Sequence, residues 1–303
     1  VRGVFVDANE ALAVIFERLA KPDDPKVRIH RDPDATPDQL PGIIDGAEIA
    51  VVDHTALPTA IAKKCAGLKH VVFLGTGARS YMNPEELAEL GIAVHLIRGY
   101  GDTAVAESAI ALMWAAARGI ARMDREMRAG TWLREDGMQL TGKTLGLIGF
   151  GGIAAEVARI ALGSGMRVVA WNRSPKSSPG VEFITLEKLL AASHVVSLHL
   201  LLNDETRGFV TRERIAAMRP GVILVNTARG AMVDETAMID ALKSGHIRHA
   251  GLDVFNIEPL PVDHPLTKLP NVTLSAHSAF RTPEASENLI GAAWEHCRRI
   301  AKG

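Results

Sequence analysis

The 303-residue sequence predicts an α/β protein made of two doubly wound parallel-sheet domains. Three observations predict it. Short apolar runs alternate with amphipathic stretches along most of the chain. Two of those runs end in glycine clusters, Gly75-Thr76-Gly77 and Gly149-Phe150-Gly151-Gly152. A last amphipathic stretch, Pro283–Ala301, follows the final strand candidate and is expected to return to the first domain, so the second domain reads as an insertion.

Taken in order, Val4–Val6 is a strand candidate and Asn9–Leu19 a helix. Lys21–Pro41 is rich in Pro and Asp and holds one possible strand, Val27–His30. Ile49–Val52 reads as a strand, Pro58–Cys65 as a helix, and His70–Leu74 as a strand running into Gly75. Asn83–Leu90 is a helix capped by Asn83, and Ile92–Leu96 is a fifth strand. Gly99-Tyr100-Gly101-Asp102 reads as a hinge, and a single long helix over about Ala104–Ala129 leads away from it. Further strands are expected at Val195–His199, Val222–Asn226, Ala250–Val254 and Val272–Ser275. Helices are expected at Leu186–Ala192, Thr211–Met218 and Glu235–Ser244. The expected division is residues 1–98 with 280–303, and residues 99–279.

Composition narrows the function classes. With 47% apolar and 23% charged residues the chain is of ordinary globular type, long enough for two cores. A formal net charge of −1 gives no reason to expect nucleic acid or a membrane surface as partner. Arg122, Arg125 and Arg128 interleave with Asp124 and Glu126, as on a solvated helix face. The two cysteines, Cys65 and Cys297, have no metal-ligand or CxxC spacing and suit a reducing, cytoplasmic location. The apolar helical stretch Ser108–Ala117 is too short to span a bilayer. No signal peptide is visible, and the chain begins at Val1 rather than methionine, as a trimmed N-terminus does.

The densest motif is Lys143 to Arg173. An apolar run (Thr144–Ile148) meets the glycine cluster, an amphipathic stretch (Ile153–Leu162) follows, and a second apolar run (Arg167–Trp171) ends in Asn172-Arg173. Strand, tight turn, helix and strand in about thirty residues are the context of a dinucleotide-binding βαβ unit. Gly149 permits the bend, Gly151 lets backbone N–H groups approach a pyrophosphate, and Ala154 is small enough for close helix–sheet packing. The second domain is therefore read as a Rossmann cofactor domain inserted into a flavodoxin-like substrate domain.

Three other strand ends carry chemistry. Arg229 follows Val225-Asn226-Thr227-Ala228, Asp253 and Glu258 follow the next strand, and His277 follows the last. All should lie on the carboxyl edge of one parallel sheet, where open α/β folds bind ligands. Arginine offers a planar, permanently charged fork for a carboxylate and its neighbouring carbonyl. Histidine can pass a proton to a developing alkoxide, and a carboxylate beside it orients the ring and stabilises positive charge there.

These stretches, with Gly75–Val94, the Val105-Ala106-Glu107 helix start and the run Val225–Pro259, resemble the D-isomer-specific 2-hydroxyacid dehydrogenases over nearly the whole chain. The resemblance implies that Arg229, Glu258 and His277 are the catalytic trio of a hydride-transferring enzyme. It implies that backbone N–H groups of Gly75, Thr76, Gly77 and Ala78, together with Arg229 and His277, hold the substrate. It assigns the cofactor to Gly149, Gly151, Gly152 and Ile153, to Asn172, Arg173 and Ser174, and to His199, Leu200, Leu201 and Thr206. Thr227, Ala228, Arg229, Asp253, His277 and Ala279 complete that set, Asp253 on the nicotinamide side or, alternatively, as a carboxylate that fixes a loop. A homodimer through the cofactor domain is also implied, with the arm Gly130–Gln139 and its Trp132 suited to that role. Closure about hinges near Gly99 and Ala279 is expected to exclude water.

The chain departs from the family pattern at two places. Arg79 stands where an aspartate is usual, and a local salt bridge is the favoured reading. Phe280 follows Ser278-Ala279 where relatives have small residues, so it narrows the nicotinamide or substrate side. At the end of the second strand of the cofactor domain, Asn172 stands where an NAD-specific fold places an acid, and Arg173, Ser174 and Lys176 follow. NADP(H) is therefore favoured over NAD(H). The expected activity is reduction of a small 2-oxo acid, glyoxylate or hydroxypyruvate first, to the D-2-hydroxy acid. The alternatives are a phosphoglycerate dehydrogenase-like enzyme and a non-catalytic, nucleotide-sensing protein like the family's corepressors. Against the former, Val52-Asp53-His54-Thr55 stands where such relatives carry a basic cluster. Formate dehydrogenases are set aside because they carry glutamine at the position of Glu258.

Overall fold

Strands alternate with helices from the first residues onward. The computed structural model describes residues 1–303, which divide into two units, Val1–Gly101 with Arg281–Gly303, and Asp102–Phe280.

The first unit runs β1 (Arg2–Phe5), α1 (Glu10–Leu19), β2 (Lys26–Ile29), α2 (Leu40–Ile44), β3 (Ile49–Val52), α3 (Thr59–Ala62), β4 (His70–Phe73), α4 (Pro84–Glu89) and β5 (Ala93–Leu96). The strands form one parallel sheet in the order β2-β1-β3-β4-β5. β3 at its centre is buried on both faces, which is why Ile49–Val52 is an unbroken apolar run rather than an alternating one. Val4, Ala50, Val52, Val71 and Phe73 pack on one face beneath Leu40, Ile44 and Leu87. Phe5, Ile49, Val51 and Val72 pack on the other beneath Phe16 of α1 and Trp294 of the closing helix.

That closing helix, Pro283–Lys302, belongs to this first unit. Its Trp294 ring lies 4.3 Å from Phe16, centroid to centroid, and its indole N–H donates to the Phe16 carbonyl at 2.9 Å. Arg298 pairs with Asp24 at 2.6 Å, and the guanidinium holds the Asp24 carboxyl below its usual range.

The second unit starts with α5 (Asp102–Arg118) and α6 (Ile120–Arg128). The sequence reads as one continuous helix here, and the structure corrects it. Gly119 adopts φ +63° and the two segments meet at a 66° bend. The rest runs β6 (Thr144–Ile148), α7 (Gly152–Gly163), β7 (Arg167–Trp171), β8 (Val181–Phe183), α8 (Leu186–Ala192), β9 (Val195–Leu198), α9 (Arg212–Ala216), β10 (Val222–Asn226), α10 (Glu235–Ser244), β11 (Ile247–Leu252), α11 (Pro265–Lys268) and β12 (Val272–Leu274). The closing helix of the first unit is then α12.

Seven parallel strands form the sheet β12-β11-β10-β9-β6-β7-β8, with α5 and α7 on one face and α8 and α10 on the other. The chain leaves β6 toward β7 and β8, then crosses back to β9 and proceeds the other way. The strand order therefore reverses between β6 and β9, and a crevice opens at their carboxyl ends. No single helix is long and apolar enough to cross a membrane.

Candidate active site

The glycine turn after β6 sits at that crevice. Gly149 has φ +89°, and a Cβ there would lie 2.6 Å from the His199 carbonyl oxygen, so only glycine fits between the ends of β6 and β9. A Cβ on Gly151 would project into open space directly before the N-terminus of α7. That is a groove where a pyrophosphate can meet helix N–H groups and the positive end of the helix dipole. Beside it, Asp102 presses its carboxylate against Gly152, where a Cβ would collide with Oδ2. Burial and the nearby Glu156 raise the Asp102 pKa.

The residues around the turn fit a dinucleotide. Asn172 accepts the Phe150 N–H at 3.1 Å through Oδ1 and donates through Nδ2 to the Ser174 carbonyl at 2.8 Å. Its amide thus braces the glycine turn and the Asn172–Ser174 turn against each other, a role invisible in its sequence position. Arg173 forms an ion pair with Glu205, a partner the sequence reading did not foresee. His199 is half-buried, with Nε2 2.9 Å from Ser197 Oγ, and desolvation pushes its pKa down to about 4. Leu200 lies against the Gly149 turn. Leu201 is exposed, and its carbonyl accepts the Thr206 hydroxyl at 2.6 Å. Thr227 Oγ1, after β10, is buried without a hydrogen-bond partner. An unpaired buried hydroxyl at the crevice is a group a polar ligand would satisfy.

The three strand ends that carry chemistry are neighbours, because β10, β11 and β12 pair side by side. Asn226, buried at the end of β10, accepts the Ala228 N–H at 2.9 Å and donates to the Arg229 carbonyl at 2.9 Å. This fixes the loop that presents Arg229. Gly230 lets that loop touch the next, since a Cβ there would collide with the Phe255 carbonyl group. Arg229 itself is exposed, with Nη1 donating to the Ala228 carbonyl at 2.6 Å.

Glu258 and His277 form a close polar pair, with Oε2 2.6 Å from Nδ1. Glu258 is held in turn by the Phe255 N–H, which donates to Oε1 at 2.8 Å. The Glu258–Nδ1 contact leaves the opposite ring nitrogen, Nε2, for other partners. His277 has φ +48°, rare for a residue with a Cβ. Asp253 holds it there. Its side chain is completely buried and its Oδ1 accepts the Ser275 hydroxyl at 2.5 Å and the Ser278 N–H at 3.0 Å, while Oδ2 accepts the Ala279 N–H at 3.0 Å. The Asp253 carbonyl takes the His277 N–H at 2.8 Å. These are the contacts of a carboxylate that fixes a loop. Phe280 closes this loop, its ring edge-on to His277 at 6.5 Å.

In the first unit, Gly75–Ala78 follow β4, with Gly75 at φ +154° and its carbonyl accepting the Ile97 N–H at 3.1 Å. Arg79 pairs with Glu85, the local bridge its position suggested. The neighbouring loop after β3 hangs on Asp7, a fully buried carboxylate absent from the sequence reading. It accepts the N–H groups of Asp53, His54 and Thr55 at 2.9, 2.8 and 2.7 Å. His54 pairs with Asp53 at 3.2 Å, and its pKa rises to about 9, mainly through that bond.

Both the sequence and the fold match known proteins. Residues 110–279 match the family model for the NAD-binding domain of D-isomer specific 2-hydroxyacid dehydrogenases. A hydroxypyruvate reductase of Thermotoga maritima is 39% identical over 259 residues, 83% of this chain and 84% of that protein. A glyoxylate reductase of Korarchaeum cryptofilum is 41% identical over 224 residues, 68% of each. The crystal structure of the TT0316 protein from Thermus thermophilus superposes with a TM-score of 0.88 at 35% identity, covering 100% of this chain and 97% of that one. By the family model and these relatives, this chain belongs to the D-isomer specific 2-hydroxyacid dehydrogenase family, as a nicotinamide-dependent 2-hydroxyacid reductase.

Proposed function

We propose that this protein is an NADP(H)-preferring reductase of small 2-oxo acids, with glyoxylate and hydroxypyruvate as first substrates and, where the product is chiral, the D-2-hydroxy acid. The observation that carries the reading is the 2.6 Å contact between Glu258 and His277, beside the strand end that presents Arg229. A nicotinamide cofactor, when bound at the glycine turn, would supply the hydride. Arg229 grips the substrate carboxylate and polarises the ketone oxygen. His277 delivers the proton on Nε2 to that oxygen as negative charge develops, and takes it back in the reverse direction. Glu258 fixes the ring by its bond to Nδ1 and stabilises the imidazolium.

The relatives named as hydroxypyruvate and glyoxylate reductases support small substrates. So does the loop after β3, where two carboxylates, Asp7 and Asp53, surround the single cation of His54 and give a phosphorylated acid little to bind. The NADP(H) preference rests on Asn172. Its neutral amide is already engaged by Phe150 and Ser174, so no acid awaits the ribose hydroxyls, and Arg173 stands next to it. The test is oxidation of NADPH and of NADH with glyoxylate, hydroxypyruvate, pyruvate and phosphohydroxypyruvate, with chiral analysis of the product. Faster NADPH turnover on the two small acids, yielding D-glycerate from hydroxypyruvate, is expected. NADH preference, an L product or a preference for the phosphorylated acid contradicts it.

Homodimer formation is part of the proposal. Ile120 and Met127 of α6 and Trp132 of the arm expose apolar side chains, which a second copy would cover. Light scattering at micromolar concentration is expected to give twice the chain mass, and a monomer mass would contradict the assignment.

A further inference from the structure

The loops that follow β7 and β9 leave the sheet on either side of the end of β6, because β6 pairs with both strands. β7 and β9 are thus about 10 Å apart across the Gly149 turn. The ion pair between Arg173, after β7, and Glu205, after β9, bridges that interval. Glu205 is not on a loose tether. Its own N–H and that of Thr206 each donate to Asn203 Oδ1 at 3.0 Å, and the Thr206 hydroxyl ties the turn back to Leu201. The turn therefore aims one carboxylate at the one arginine next to Asn172.

We propose that Glu205 is a specificity-positioning residue that competes with the 2′-phosphate of NADP(H) for Arg173, and so sets how strongly the enzyme prefers NADP(H) over NAD(H). The inference rests on the reading of Arg173 as the phosphate partner. A 2′-phosphate carries up to two negative charges and must draw the guanidinium away from a carboxylate that already holds it. A ribose with a free 2′-hydroxyl makes no such demand, so the Arg173–Glu205 pair stays closed while NAD(H) binds. The cost of opening falls on one cofactor alone. Both side chains are largely exposed, at 75% and 71%, so the pair is weakly held and the effect is a few-fold rather than orders of magnitude.

The experiment is calorimetric binding of 2′,5′-ADP and of 5′-ADP to the full chain, with no turnover involved. It compares wild type, Glu205→Gln, Arg173→Ala and the double variant. Glu205→Gln is expected to tighten 2′,5′-ADP about two- to fivefold and to leave 5′-ADP unchanged. The gain should vanish in the Arg173→Ala background and shrink at high salt. Unchanged 2′,5′-ADP affinity in Glu205→Gln, equal tightening of both ligands, or a gain that persists without Arg173 each overturns the competition. If Arg173→Ala alone leaves 2′,5′-ADP binding intact, the phosphate role of Arg173 fails, and the competition fails with it. Weaker 2′,5′-ADP binding in Arg173→Ala with no effect of Glu205→Gln retains the phosphate role and removes only the competition. Far-ultraviolet circular dichroism confirms the fold of each variant, and Glu205→Lys, which adds a cation, is expected to tighten 2′,5′-ADP further.

Discussion

The proposed acid–base centre is a chain of single contacts, from Phe255 N–H to Glu258 to His277, with Asp253 locking the loop beneath. Glu258→Gln keeps a side chain able to accept at Nδ1 but removes the charge that stabilises an imidazolium. The expected outcome is a fall in kcat of roughly 10- to 1000-fold with an altered pH profile and little change in cofactor affinity. An unchanged profile would show that Glu258 has no part in the proton step. Arg229, Glu258 and His277 were legible in the sequence because each follows a strand-like apolar run, in an order a known family shares. Asp7, Glu205 and the bracing amide of Asn172 were not. Asp7 and Glu205 meet partners 32 to 48 residues away, and the Asn172 amide reaches back 22 residues to Phe150 as well as forward to Ser174. Sheet order, not spacing along the chain, brings them together.

The glycine turn shows most clearly how one element depends on another. Gly149 is confined both by its positive φ and by the carbonyl of His199 on the adjacent strand. An alanine there meets the left-handed penalty, about 1–2 kcal/mol, and a collision that only movement of the end of β9 can relieve. Gly149→Ala is therefore expected to lower the melting temperature by several degrees and to weaken binding of either cofactor at least tenfold. A variant with wild-type affinity would contradict the close approach of these two strand ends. The strand–turn–helix order of this element was legible from its apolar periodicity. The break between α5 and α6 was not, since the helical pattern runs on through Gly119 and only its positive φ ends the first helix. The short β8 was missed as well, because three residues beside a polar turn show too little alternation to register.

Across the molecule, histidines set the pH range of stability. His95 in the first unit, and His199 and His249 in the second, are pushed down to about 4, mainly by desolvation. Their unfolded forms, titrating near 6.5, bind more protons than the folded chain between those values. Stability is therefore full above about 6.5 and declines as pH falls toward 4. His95 shares this loss with its neighbours. It lies 3.2 Å from His70 on β4 and stacks near His296 of α12, so protonation crowds like charges beneath the closing helix. His54 works in the opposite sense. Raised to about 9, it contributes stability that is complete below 6.5 and is lost as pH rises through 9. Urea midpoints measured from pH 4 to 10 should trace a dome, with His95→Gln flattening its acid side and His54→Gln its alkaline side. A profile flat from pH 7 to pH 4.5 contradicts this account. The two parallel sheets were legible in the alternation of apolar and amphipathic stretches, but no sequence pattern gave the histidine cluster, which depends on β4, β5 and α12 meeting.

The central claim is that His277, held by Glu258, is the proton donor of a 2-oxo acid reductase. It is tested most directly by the rate of NADPH oxidation with glyoxylate at saturating cofactor, for wild type against His277→Ala. The expected result is ready turnover by the wild type and a fall in kcat of about 10²- to 10⁴-fold in the variant, with NADPH binding retained. Turnover unaffected by the substitution, or none in the wild type with any of the small 2-oxo acids, would contradict it.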